Sequence, residues 1–179
     1  MSLTVKNIIR FVVFILFQAL ILNKTPPLHR FIVPYLYCLY ILWLPFNINR
    51  SWLMIVAFLF GLSLDYFTGT PGLHAAPCVL IAYIRPFLIN VLIRQEDIEA
   101  HYSEPSVTSM GWAPYFIYIV LLILLHHAYL VLIEWLQFEN IWYFLGKVIS
   151  TTAISMLLIL IIELLFYRKK ELRKGISAL

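Results

Sequence analysis

Long apolar runs separated by short polar breaks define the pattern of this chain. The runs cover residues 8–22, 31–46, 51–67, 72–93, 112–136 and 141–167. A helix needs about 20 residues to cross the hydrocarbon core of a bilayer. The pattern therefore predicts one domain, residues 1–179, folded as an all-α, polytopic integral membrane helix bundle with about six transmembrane helices. Five spans is the alternative, if the short second and third runs form one re-entrant hairpin.

Composition excludes a soluble globular domain. Of the 179 residues, 63% are hydrophobic and only 12% are charged, whereas soluble domains are about half apolar and a quarter charged. The net charge of +4 does not indicate nucleic-acid binding, because five of the 13 basic residues lie in the tail, residues 168–179, directly after an apolar run. At that position anionic membrane lipid or topology explains them.

Basic residues are distributed unequally between the two sides of the six-span arrangement. One side carries Lys6, Arg10, Arg50, Arg94, Arg168, Lys169, Lys170, Arg173 and Lys174, and the other carries Lys24, Arg30 and Lys147. Cytoplasmic loops are enriched in lysine and arginine. The bias therefore predicts that both termini, the polar loop 94–111 and the basic tail 168–179 are cytoplasmic.

Ionisable residues at membrane depth are costly and need a structural or functional reason. The candidates are Asp65, Arg85, His126, His127, Glu134, Lys147 and Glu163. At a rise of about 1.5 Å per residue, Arg85 and Glu163 both fall in the cytoplasmic half of their runs, so we hypothesise that they form an ion pair between the fourth and sixth spans. Glu134 and Lys147 lie near span ends, where their side chains are expected to reach the interface.

The sequence predicts no metal, cofactor or catalytic site. His126 and His127 are adjacent, and adjacent helical positions point about 100° apart, so we expect at most one to face the interior and the two not to share a metal. Cys38 and Cys78 fall inside apolar runs and are expected to be buried thiols without a disulfide. Because no nucleophile, base and oxyanion arrangement is evident, a non-enzymatic protein is favoured over an intramembrane enzyme.

One segment is dense in small and polar residues, namely residues 60–76, followed by Tyr83 and Arg85. Glycines and alanines permit close approach between helices. Asp65 is expected to cap the amino terminus of the fourth span or to accept hydrogen bonds from the turn between Gly69 and Gly72. Two interpretations stay open at this point: a tight polar turn between two helices, or a surface for a partner or ligand.

The same segment resembles the family of the rod shape-determining membrane protein MreD. That family has a Gly-x-x-x-Asp motif, two further glycines, a small residue and a tyrosine in the next span. The matching positions are Gly61, Asp65, Gly69, Gly72, Ala75 and Tyr83. The similarity in length, in the spacing of the spans and in the basic tail extends over nearly the whole chain, while the acidic loop is longer than the family pattern.

The resemblance implies a scaffold of the cell-elongation and peptidoglycan-synthesis machinery in the bacterial inner membrane. Its implied partners are MreC, the actin-like MreB, the RodA glycosyltransferase and a class B penicillin-binding transpeptidase; self-association is compatible with the sequence. Gly61, Asp65, Gly69, Gly72, Tyr83, Arg85 and Glu163 are the candidate structural or partner-surface residues. The family is also similar in fold to the substrate-binding S components of energy-coupling-factor transporters. An S component with a pocket formed by Asp65, Tyr66, His74 and Trp142 is therefore the alternative.

Overall fold

The fold consists of helices joined by short connections. The computed structural model describes residues 3–24, 33–93, 102–134 and 141–176, with side chains described as far as Leu165, and these residues contain no β-strand. The elements are α1 (Leu3–Leu20), a 3₁₀ turn (Leu22–Lys24), α2 (Cys38–Leu42), α3 (Arg50–Thr68), α4 (Ala75–Leu92), α5 (Val107–Met110), α6 (Trp112–Glu134) and α7 (Ile141–Ile176).

Five helices of the described chain are long and apolar enough to cross a membrane, which confirms a multi-pass helical membrane bundle. They are Leu3–Lys24, Arg50–Thr68, Ala75–Leu92, Trp112–Glu134 and Ile141–Leu165. The second of the six expected spans, residues 31–46, is not among them: positions 31 and 32 lie outside the described residues, and the remainder holds only the five-residue helix α2. The number of spanning helices in the described chain matches the five-span alternative, but the re-entrant hairpin of the second and third runs is wrong, because α3 is a full-length helix by itself.

Residues 33–46, called the inner segment below, run through the interior of the bundle. Every residue from Tyr35 to Leu44 is at most 9% exposed. The segment runs antiparallel to α1. Near the start of the segment, the backbone N–H of Leu36 donates to Gln18 Oε1, close to the end of α1, at 2.9 Å. Near the end of the segment, the ring of Trp43 lies 5.0 Å from the guanidinium of Arg10, in the first half of α1.

Polar side chains of the surrounding helices hold the backbone of the inner segment. Ser155 Oγ accepts from the backbone N–H of Tyr35 at 3.0 Å, and the hydroxyl of Tyr118 donates to the carbonyl oxygen of Leu42 at 2.9 Å. Irregular backbone at membrane depth is tolerated only where protein surrounds it, because lipid cannot satisfy its N–H and C=O groups. These side chains take the place that water has in a soluble protein.

The central helix of the bundle is α6, which packs against α4 on one side and α7 on the other. Its buried positions include four adjacent pairs: Tyr118 with Ile119, Leu122 with Ile123, His126 with His127, and Leu130 with Val131. Adjacent pairs that recur every four residues form a buried face more than 100° wide. Helix α4 also pairs extensively with α3, so α3, α4, α6 and α7 follow one another in space as they do in sequence.

The start of α1, the end of the inner segment and the described part of the polar loop meet at one end of the bundle. Glu104 accepts from Lys6 Nζ at 2.7 Å and from Arg10 at 2.8 Å, and the backbone N–H of Phe46 donates to the carbonyl of Ser103 at 3.0 Å. Of the predicted loop 94–111, positions 94–101 lie outside the described residues. Of the predicted tail 168–179, positions 168–176 continue α7 and positions 177–179 lie outside the description.

Candidate functional site

The carboxylate of Asp65 organises the turn between α3 and α4. Its Oδ2 accepts from the backbone N–H groups of Gly72 at 3.0 Å and Ala75 at 3.1 Å. Its Oδ1 accepts from the backbone N–H of His74 at 2.8 Å and lies 2.7 Å from Nδ1 of the same residue. Asp65 is only 2% exposed. Both predicted contacts, the cap of α4 and the bond to the glycine turn, are therefore confirmed.

Two glycines give this turn its shape. Gly69 ends α3 with φ +69°, and its N–H donates to the carbonyl oxygen of Asp65 at 2.9 Å. Gly72 has φ +88°. Both values lie in the left-handed region, which residues with a Cβ atom rarely adopt. Both glycines are therefore required by the backbone path that brings the N–H groups onto the carboxylate.

The remaining glycine of the motif, Gly61, lies where α3 meets the start of α4. A Cβ atom built on Gly61 would clash with Ala75 Cα and would lie only 2.8 Å from both Ala75 N and the carbonyl oxygen of His74. Such distances are much shorter than van der Waals contact. Gly61, Asp65, Gly69 and Gly72 thus form one unit, the Asp65 turn, which fixes the separation and the connection of the two helices.

Arg85 is fully buried and donates hydrogen bonds to the backbone of the inner segment. Its Nε donates to the hydroxyl of Tyr118 at 2.8 Å, and its guanidinium donates to the carbonyl oxygen of Leu44 and, at 3.4 Å, to that of Pro45. The hypothesis of an ion pair between Arg85 and Glu163 is wrong. Carbonyl oxygens beyond the end of α2 carry partial negative charge. They accept the hydrogen bonds of the guanidinium, so Arg85 needs no carboxylate as a partner.

Glu163, on α7, has its own partners at the end of the bundle where α1 begins. It accepts from Trp43 Nε1 at 2.9 Å and from the hydroxyl of Tyr115. It also lines a cavity of about 490 Å³ together with Lys6, Arg10, Phe14, Phe17 and Glu104. Glu163 therefore connects α6 and α7 to the inner segment rather than to α4.

Tyr83 lies on the outer surface of α4, about 12 Å along the helix from Ala75. Its side chain is 50% exposed. The guanidinium of Arg50 lies 3.8 Å from the ring centroid and donates to the carbonyl oxygen of Tyr83 at 3.1 Å. Among the candidate residues, the four of the Asp65 turn come together, while Tyr83, Arg85 and Glu163 occupy three separate positions.

The two ionisable residues expected to extend to the interface form a pair with each other. Lys147 Nζ lies 2.7 Å from Glu134 Oε2, and the side chain of Lys147 is only 9% exposed. The expectation that Lys147 extends to the interface is therefore wrong. The carboxylate of Glu134, which is 38% exposed, pairs with the lysine between α6 and α7. Without this partner the ammonium group of Lys147 would have to reach water.

The prediction that at most one of His126 and His127 faces the interior is wrong. Both are fully buried, and one ligand atom from each lies within 4.8 Å of the others and of Cys38 Sγ. The hydroxyl of Tyr37 lies 3.0 Å from His126 Nε2, and Thr152 Oγ1 lies 3.1 Å from His127 Nδ1. The wide buried face of α6 explains this result, because neighbours about 100° apart both fall on it. The recurring apolar pairs along α6 are the sequence signal for such a face.

The residues named for a ligand pocket do not share one. Asp65 and His74 are buried and bonded to each other, whereas Tyr66 is 86% and Trp142 is 78% exposed. The cavities of about 610 Å³ and about 490 Å³ are both lined by residues from the end of the bundle where α1 begins. None of these four residues lines either cavity.

Comparison of the chain with family models, with curated proteins and with solved structures finds no match. The class of protein therefore follows from the fold itself: a multi-pass helical membrane protein with a buried irregular segment and a carboxylate-capped turn.

Proposed function

We propose that this chain is a non-enzymatic scaffold of the bacterial cell-elongation and peptidoglycan-synthesis machinery. In this proposal it resides in the inner membrane with both termini in the cytoplasm. It binds MreC and connects it to MreB, RodA and a class B penicillin-binding transpeptidase. The proposal rests on the resemblance to the MreD family, whose motif positions are Gly61, Asp65, Gly69, Gly72, Ala75 and Tyr83.

The observation that best supports the proposal is that the first five of these positions lie together: Gly61 packs against Ala75, and the Asp65 carboxylate bonds to Gly72 and Ala75. Both oxygens of the Asp65 carboxylate already accept hydrogen bonds from the turn. A carboxylate held in this way fixes the positions of the two helices rather than binding a ligand. The sixth position, Tyr83, lies on the outside of the same helix pair, and its ring is held by Arg50. The helix pair α3 and α4 is therefore suited to act as a rigid surface that presents an aromatic side chain to another membrane protein.

The test is affinity purification of the tagged full-length chain from its native membrane in a mild detergent, followed by mass spectrometry. The expected result is recovery of MreC, RodA or the transpeptidase with the wild-type chain. Recovery should be reduced severalfold by Tyr83→Leu, which removes the hydroxyl and the aromatic ring from an exposed position. Recovery of a transmembrane coupling subunit with ATPases would instead identify a transporter S component.

The matched control is Phe116→Leu on α6. Phe116 is 50% exposed, as is Tyr83, and it is also aromatic, so the two substitutions expose the same kind of surface to lipid. Equal recovery of the partners with both variants would contradict a specific role for Tyr83.

A further inference from the structure

Three potential metal ligands converge inside the bundle, next to the Asp65 turn: the ring of Tyr37, whose hydroxyl contacts His126, lies 5.6 Å from the ring of His74. Cys38 begins α2, and His126 and His127 lie on the adjoining part of α6; all three are fully buried. One ligand atom from each lies within 4.8 Å of the other two. An ion bound by two nitrogens at about 2.0 Å and one sulfur at about 2.3 Å holds these ligands about 3.5 Å apart. The ligand atoms must therefore approach one another by at most about 1.3 Å to close the site.

Each histidine has one ring nitrogen without a partner. Within the part of the chain that the structure describes, His126 Nδ1 and His127 Nε2 are buried and accept no hydrogen bond. The opposite nitrogens contact the hydroxyl groups of Tyr37 and Thr152. Metal-ligating histidines commonly donate their second N–H to such a partner, which fixes the tautomer and the orientation of the ring. When each imidazole donates its N–H to the hydroxyl, the other ring nitrogen, which has no partner among the described residues, carries the lone pair that an ion needs.

We propose that Cys38, His126 and His127 form a binding site for a cuprous ion, Cu(I). This site is separate from the scaffold function proposed above. On binding, the Cys38 thiol releases its proton to solvent as the sulfur–copper bond forms, and the copper remains in the cuprous state. One thiolate, one monovalent cation and two neutral imidazoles give a complex with no net charge.

Charge and ligand softness favour Cu(I) over Zn²⁺. An uncompensated charge in the apolar interior is costly, and Zn²⁺ with the same three ligands would leave one positive charge. Thiolate sulfur selects soft ions such as Cu(I), and imidazole accommodates copper. Three ligands from buried positions therefore match a three-coordinate cuprous ion.

The test uses the full chain, purified in detergent micelles and incubated anaerobically with Cu(I) and ascorbate, then desalted. Elemental analysis should give one copper per chain, and X-ray absorption at the copper edge should give one sulfur and two nitrogen ligands. Competition with a Cu(I) chelator should show that Cys38→Ala, His126→Leu and His127→Leu each weaken binding at least tenfold. Cys78→Ala is the matched control, because Cys78 is the other fully buried cysteine, and it should bind copper as the wild type does.

Four results would overturn the proposal: wild-type chain without copper after desalting, a copper spectrum without a sulfur ligand, unchanged affinity in Cys38→Ala, or an equal loss in Cys78→Ala. Preferential retention of zinc when both ions are supplied would overturn the cuprous assignment. Gel filtration and circular dichroism are applied to each variant. The ligand set measured on the wild type decides the matter even where a variant does not fold.

Discussion

The guanidinium of Arg85 donates to the backbone carbonyl oxygen of Leu44, and this contact joins α4 to the buried inner segment. A charged side chain at this depth is costly unless its donors are satisfied. Here the donors face carbonyl groups that have left the helical pattern and would otherwise lack partners. The arginine and the irregular segment therefore depend on each other.

Arg85→Leu should destabilise the protein by about 2–4 kcal/mol, because carbonyl groups of the inner segment would remain buried without donors. The measurement is the free energy of unfolding in mixed micelles as the fraction of denaturing detergent rises. Arg50→Leu is the control, since Arg50 contacts the exposed ring of Tyr83 and its loss should cost less than about 1 kcal/mol. Equal effects of the two substitutions would contradict the role assigned to Arg85.

Asp65→Ala should destabilise the protein by about 2–4 kcal/mol, because the backbone N–H groups of Gly72, His74 and Ala75, in the turn and at the start of α4, lose their acceptor. Asp65→Asn retains one oxygen and should cost roughly half as much. The same unfolding measurement applies. The neighbouring Ser63→Ala is the control: among the described residues, Ser63 Oγ bonds only to the carbonyl oxygen of Leu59 in its own helix, so its change should stay within about 0.5 kcal/mol. A neutral Asp65→Ala would show that the turn does not depend on the carboxylate.

Gly61→Ala should destabilise the protein by about 1–3 kcal/mol, because the added methyl group pushes α3 away from the start of α4. Gly146→Ala on α7 is the matched control, since a Cβ atom there meets nothing within 4 Å. That control should be neutral or stabilising by up to about 1 kcal/mol, owing to the higher helix propensity of alanine. Thermal unfolding of both variants in detergent gives the comparison, and a Gly61→Ala variant as stable as the wild type is incompatible with the close approach described.

The long helices and the Asp65 turn could be predicted from the sequence because their signals are local. Apolar length alone predicts α3, and a carboxylate four residues before Gly69 predicts a capped turn. The inner segment could not be predicted in the same way, because its composition is that of a transmembrane helix. Pro34 and Pro45 were the available signal: proline lacks an N–H group and disfavours helical continuation.

The partners of Arg85 and of the two histidines could not be predicted for a different reason. Carbonyl acceptors such as that of Leu44 have no signature in the sequence, so the carboxylate of Glu163 was the only visible partner at a matching depth. On an isolated helix, His126 and His127 point about 100° apart. Their convergence depends on the inner segment and α7 covering α6 from different directions, which is a property of packing.

Photo-crosslinking in living cells tests whether the helix pair α3 and α4 presents Tyr83 to a partner of the elongation machinery. A photoreactive phenylalanine analogue replaces Tyr83 in one strain and the equally exposed Phe116 in another. We expect an ultraviolet-dependent adduct with MreC from position 83 and none from position 116. Adducts with MreC from both positions alike, or an adduct from position 83 with a transporter coupling subunit, would contradict it.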